Sequence, residues 1–103
     1  MAAIRLVHSD TLSCEPVVRR MKDGSLLMVA QCGDTYEPAP RNRVYYFHSY
    51  DDGDTWSTPV SIYPEDGNAV YCTEVAVFGD RVVAYLTGLK GHFFNWRSVM
   101  MSS

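Results

Sequence analysis

No apolar run in this chain approaches the ~20 residues that a membrane-spanning helix needs. No segment sustains a 3.6-residue apolar period either, so the pattern that specifies an amphipathic helix is missing. Basic residues are few and scattered, nine against twelve acids, with no basic run beyond Arg19-Arg20 and a net charge of −3. That balance removes the electrostatic footing for a nucleic-acid or membrane-surface partner. Cysteine is scarce: Cys14, Cys32 and Cys72 are odd in number and far apart. They fit neither a disulfide framework nor a CxxC zinc pattern, and read as buried free thiols acting as small apolar residues. The opening "MAAIRLVHS" has one arginine and too short an apolar core for a signal peptide. The expected localisation is therefore cytoplasmic unless a signal lies upstream.

What is present is apolar and aromatic: 47% hydrophobic and 13% aromatic residues in a chain of 103. That is enough for one globular unit with a modest core. β-Branched and aromatic runs recur between turn signals, which predicts strands near Ile4–His8, Leu12–Arg19, Ser25–Gln31, Arg43–Ser49, Pro59–Tyr63, Tyr71–Phe78, Arg81–Thr87 and Asn95–Ser102. Turns fall at Lys22-Asp23-Gly24, Asp51-Asp52-Gly53, Asp66-Gly67 and Gly79-Asp80, where glycine accepts positive φ. Pro59 opens its strand, where a missing N–H does least harm. The fold class is all-β.

The strands also repeat. "CEPVVRRMKDGSLLMVAQ" from Cys14 parallels "CTEVAVFGDRVVAYLT" from Cys72 once a two-residue gap is allowed at the turn, and "RVYYFHS" parallels "RSVMMSS". A repeat in the mid-fifties matches one four-stranded propeller blade and points away from an immunoglobulin-like sandwich.

The densest acids lie in "SYDDGDTWS", residues 49–57. A calcium loop needs alternating oxygen ligands and a bidentate Glu at position twelve. Counting from Asp51, the alternate positions are Gly53 and Thr55 and the twelfth is Ile62, so the acids read as a hairpin corner. Asp51 is placed to accept turn N–H groups, Gly53 to take a left-handed conformation, Thr55 to close a side-chain hydrogen bond, and Trp56 to bury its ring. Ser49-Tyr50-Asp51-Asp52-Gly53-Asp54-Thr55-Trp56 matches S-x-D-x-G-x-T-W at every fixed position. It resembles the Asp-box, or bacterial neuraminidase repeat, of the sialidase-like superfamily. "EPVVRRMKDGSLLMVAQ" looks like the first blade of that superfamily.

The resemblance implies a β-propeller fragment of about two four-stranded blades with one Asp-box, a single unit over residues 1–103. Residues 4–8 would be an outer closing strand, 12–63 the first blade and 70–103 an incomplete second blade. Loops Cys32–Asn42, Pro64–Val70 and Gly88–Phe94 would gather on the ligand-binding face, with the Asp-box corner on the other. Sialidases hold the substrate carboxylate with three arginines, use an aspartate as general acid/base, and attack through a tyrosine paired with a glutamate. The first arginine position, two residues before Pro16, is Cys14 here, which argues against sialidase activity itself. Asp34 is the match to the acid/base aspartate, with Glu37 the alternative; the structural alternative for Asp34 is a turn aspartate after Gly33. Glu15 would bind sugar hydroxyls from the inner strand, or else pair with Arg19. Arg41 would hold a carboxylate or stand solvated. His92 beside Phe93 and Phe94 forms a sugar-stacking patch or blade packing, and Tyr36 and Tyr71 carry the same pair of readings.

The resemblance thus implies the N-terminal portion of a sialidase-like glycoside hydrolase acting on a glycan or small carbohydrate, with no cofactor or metal. The alternative is a non-catalytic propeller that binds carbohydrate or protein. The rest of the ring would come from the same parent chain, or from copies associating through open strand edges. Alone, the chain is expected to be inactive.

Overall fold

The computed structural model describes residues 7, 13–36, 39–63, 67–89 and 96–102. Among the described residues seven strands follow in order: β1 (Ser13–Arg20), β2 (Leu26–Cys32), β3 (Arg43–Ser49), β4 (Val60–Ser61), β5 (Ala69–Phe78), β6 (Arg81–Leu89) and β7 (Trp96–Ser102). There is no helix among the described residues. All pairs are antiparallel, and they form a four-stranded sheet, β1-β2-β3-β4, and a three-stranded sheet, β5-β6-β7. The chain is all-β, as its period-2 patterning requires.

Three expectations need correcting or bounding. The strand expected over Pro59–Tyr63 pairs only at Val60–Ser61, opposite Tyr46 and Tyr45. Beyond it, Ile62 and Tyr63 pack against the core between the sheets. The two first hairpins differ in loop length by more than the repeat alignment allowed. Arg20 faces Leu26 across residues 21–25, whereas Phe78 faces Arg81 across Gly79-Asp80 alone. The expected strand Ile4–His8 lies outside the described residues, Val7 excepted.

The first strands share a second feature. In β1 the register runs from Cys14↔Gln31 to Val17↔Val29, and in β5 from Cys72↔Leu86 to Glu74↔Tyr85. Each therefore holds an extra residue near its start, a bulge that bends the strand and increases its twist. In β1 the bulge contains Glu15, whose φ of 54° is uncommon for a residue with a Cβ.

Side-chain alternation then builds two apolar layers. Leu27, Val29 and Val44 from the first sheet meet Val70, Val75, Ala84 and Leu86 from the second. On the other face of the first sheet, Met28, Ala30, Cys32 and Phe47 form a separate cluster with Val7, Tyr45 and Trp56 packed against it. β2 is apolar along nearly its whole length because both of its faces are covered. Phe47 has no exposed surface, and burying a side chain of that size contributes roughly 1.5–3 kcal/mol. Across the sheet boundary, Arg19 reaches from β1 to β5, donating from Nε to the Val75 carbonyl at 3.0 Å and pairing with Glu74 at 2.5 Å. The pairing of Arg19 with Glu15, one of two alternatives read from the sequence for Glu15, is replaced by this one. Val75 N and Arg19 together lower the Glu74 carboxyl pKa, the backbone hydrogen bond being the larger cause.

Alternating strand directions sort the connections to two ends. β2 and β4 end, and β3 and β5 begin, at one end; residues 21–25, 50–59 and Gly79-Asp80 turn at the other.

Candidate functional site

The acid-rich corner is a closed hydrogen-bond network. Asp51 Oδ1 accepts from Thr55 N at 2.8 Å and from Ser49 Oγ at 2.9 Å, and Asp51 Oδ2 accepts from the Thr55 hydroxyl at 2.5 Å. Ser49 Oγ in turn accepts Gly53 N at 2.8 Å. Asp52 and Gly53 both sit at positive φ, 59° and 94°. Trp56 Nε1 donates to the Gly53 carbonyl at 3.1 Å while its ring lies against the Phe47 cluster. Asp52 pairs with Arg20 at 2.9 Å. These bonds, the Thr55 hydroxyl first, hold the Asp51 carboxyl down at about 2. A carboxylate held ionised by its own turn is a poor proton donor. The corner is structural.

A cleft of about 350 Å³ opens between the sheets near this end. Its walls are apolar, among them Leu27, Tyr46, Ile62, Ala84 and Met101, with His48 at the side. His48 Nε2 lies 2.8 Å from Ser25 Oγ, which donates to Asp23 Oδ1 at 2.5 Å. With serine between acid and histidine, the order of a nucleophilic relay is absent, and the chain ties the first hairpin to β3.

The opposite end is organised by two side chains that sequence reasoning missed. Asn42 is fully buried. Its Nδ2 donates to the carbonyls of Gly33 at 2.9 Å and Tyr36 at 3.1 Å, and its Oδ1 accepts from Ala39 N at 2.7 Å and the Tyr71 hydroxyl at 3.0 Å. Its own carbonyl accepts Val70 N at 2.9 Å. One amide thus closes the loop and joins it to β5. Arg43, also buried, donates to the Tyr63 carbonyl at 2.8 Å and the Asn68 carbonyl at 2.9 Å, with its guanidinium 5.6 Å from the Tyr63 ring centroid. The only signal in the sequence is indirect: a ten-residue loop with buried backbone must find its hydrogen bonds somewhere.

On this frame the expected site residues divide. Asp34 is a turn residue at φ 65°, accepting its neighbour's amide, Thr35 N, at 2.9 Å. Its other oxygen lies 3.6 Å from Arg41 Nε, with Asp34 11% exposed and Arg41 82%. The loop therefore brings Asp34 and Arg41 together. Tyr36 stands 59% exposed beside them in sequence, and Glu15 is exposed on the β1 bulge at the same end. Tyr71 is not an open platform, because its hydroxyl belongs to the Asn42 network. Glu37 and His92 lie outside the described residues. Of the cysteines, Cys32 is buried and Cys72 half-buried, both free thiols, and burial pushes the Cys72 thiol up. No group of acids, histidines and cysteines with metal-site spacing occurs among the described residues.

The arrangement is a polar surface. It offers carboxylate acceptors, a guanidinium and an exposed aromatic ring, and the loop that carries Asp34, Tyr36 and Arg41 is held by the Asn42 hydrogen bonds. Comparison with protein-family models, with curated proteins and with solved structures finds no match to this chain.

Proposed function

We propose that the two sheets are neighbouring blades of a sialidase-like β-propeller and that the loop end forms one sector of a glycan site in a glycoside hydrolase. The observation that carries the reading is the division of labour between the two ends. At the corner Asp51 is consumed by its own turn and Asp52 by Arg20, while Asp34, Tyr36 and Arg41 lie on a braced loop at the other end, where Glu15 is exposed on the β1 bulge. The packing of β5 across β1, β2 and β3, and the bulge near the start of both first strands, support two blades side by side. In this reading Asp34 or Glu37 supplies the acid, and further blades supply the nucleophile.

A second reading, a non-catalytic propeller that binds glycans, has its own support. Both carboxyl oxygens of Asp34 are engaged, one by Thr35 N and one by Arg41. A hydrolysis panel on the polypeptide that carries these blades separates the two. The enzyme reading expects Asp34→Asn or Glu37→Gln to lower kcat/KM at least a hundredfold with an unchanged circular dichroism spectrum. Activity indifferent to both substitutions removes the acid assignment, and glycan binding without turnover selects the second reading.

A further inference from the structure

We propose that the cleft between the two sheets binds a small aromatic molecule that carries one hydrogen-bond donor, a phenol or an indole, independently of the loop end. The cleft has a structural cause. The first hairpin turns over residues 21–25 and the second over Gly79-Asp80 alone, so the first reaches further and brings Met21 into the lining. That longer turn is held by its own backbone, Met21 N to the Ser25 carbonyl at 2.8 Å and Gly24 N to the Met21 carbonyl at 3.0 Å. Tyr46 and His48, two apart on β3, share one wall, and Val82 and Ala84, two apart on β6, share another. The short side chains of Val82 and Ala84 leave the space open. Met21, Tyr46, His48 and Val82 are only half-buried there, whereas Val75 and Leu86, in the same core between the sheets, are 2% exposed.

An opening of about 350 Å³ is at the small end of the roughly 300–1,000 Å³ usual for ligand pockets, and above the roughly 150 Å³ that holds a benzene ring. It suits one or two rings. Met21 and Met101 in the lining add adaptable thioethers, which make favourable contacts with aromatic edges. The bonds around His48 fix what its ring has to offer. Asp23 Oδ1 accepts from Ser25 N at 2.9 Å and from the Ser25 hydroxyl at 2.5 Å, and the hydroxyl bond is the main cause that holds the Asp23 carboxyl below its ordinary range. An ionised carboxylate donates nothing, so the one hydroxyl hydrogen of Ser25 goes to Asp23. Ser25 Oγ must then accept from His48 Nε2, 2.8 Å away. Neutral His48 therefore carries its proton on Nε2, and Nδ1 is its acceptor. An apolar cleft bordered by a histidine with an acceptor to offer, and no spare donor, favours a ring bearing O–H or N–H over the same ring without it.

The test is a nitrogen-15 NMR titration of the chain with 4-methylphenol and with its methyl ether, 4-methylanisole, which keeps the ring and lacks the donor. The expected result is saturable amide shifts at Met21, Leu27, His48, Val82 and Ala84 with the phenol, and binding of the ether about twofold to tenfold weaker, the ratio one neutral hydrogen bond carries. Ala84→Leu, which fills the space, should weaken both ligands at least fivefold, and His48→Phe should bring them to equal affinity. Each variant's own spectrum reports whether it folds. Ser25→Ala, outside the cleft lining, supplies a second reading: it releases the His48 tautomer and should narrow the ratio. Absence of saturable shifts up to about 5 mM phenol, or shifts confined to the loop end, overturns the site. Equal affinity for phenol and ether in the natural chain, or a ratio unmoved by both His48→Phe and Ser25→Ala, overturns the selection of a donor. Each of these failures leaves the glycan reading of the loop end standing.

Discussion

Asp51 and Thr55 are joined twice, once through the Thr55 amide at 2.8 Å and once through its hydroxyl at 2.5 Å. The two bonds favour the ionised carboxyl and depress its pKa to about 2 from an ordinary 3.8. A depressed carboxyl contributes stability that is whole above its unfolded value and is lost as pH falls through its folded value. The stability gap between the natural chain and Asp51→Asn should therefore be largest near neutral pH and shrink from about pH 4 towards about pH 2. Urea midpoints measured across that range check it. A gap independent of pH would separate the network from the stability of the corner.

Asn42 makes four side-chain hydrogen bonds in a fully buried position. Removing it strands three backbone groups, so Asn42→Ala should cost about 3 kcal/mol or more, and Tyr71→Phe about 1 kcal/mol. The double variant should cost less than the sum, since both substitutions break one shared bond. Additive urea-denaturation energies would mean that the Tyr71 bond stands apart from the network.

Gly33 tests the same loop through its backbone. Its φ is +101°, and a Cβ there would lie 2.1 Å from the Arg41 carbonyl oxygen. Gly24 also has positive φ, +88°, but a Cβ there meets nothing within 4 Å. Gly24→Ala should therefore cost about 1 kcal/mol, and Gly33→Ala clearly more, because the loop must shift as well as strain. Faster amide exchange at Val70, whose N–H bonds Asn42, is expected only in Gly33→Ala. Equal costs for the two variants would contradict the close approach.

The second sheet leaves β7 with no strand on its outer side among the described residues. Met100 and Tyr85, opposite each other on β7 and β6, are both exposed. An unpaired edge beside apolar side chains favours association of copies. Light scattering should show mass rising with concentration, and Met100→Lys, which puts a charge on that edge, should lower it. A monomer at every concentration would refute the open-edge expectation.

Much of the fold is legible in the residue pattern, and the reasons are local. Runs such as "LLMVAQC" and "RVYYFHS" alternate or fill at strand period, and Gly24, Gly53 and Gly79 stand where a turn needs positive φ. The weaker fourth strand misleads because Val60 and Ser61 are both exposed, so burial there does not enforce a longer ladder. The site is less legible. Asp34 and Arg41 each stand out by residue type, yet their pairing depends on a loop closure that spacing alone does not encode.

The all-β class and the chemistry of the corner follow from the order of residues alone, the first from period-2 patterning between turn signals and the second from bonds between positions a few apart. Ser49, Asp51, Gly53 and Thr55 satisfy one another within a single turn, so their spacing is the structure. Three-dimensional packing, by contrast, pairs Arg19 with Glu74 and not with Glu15, and seals Arg43 against Tyr63 and Asn68. It also makes Asn42, an ordinary polar loop residue in the sequence, the bond centre of the loop end. Those partners lie a loop or a sheet apart. A buried polar group takes whichever carbonyl the packed strands bring within reach, and that choice is made when the two apolar layers close.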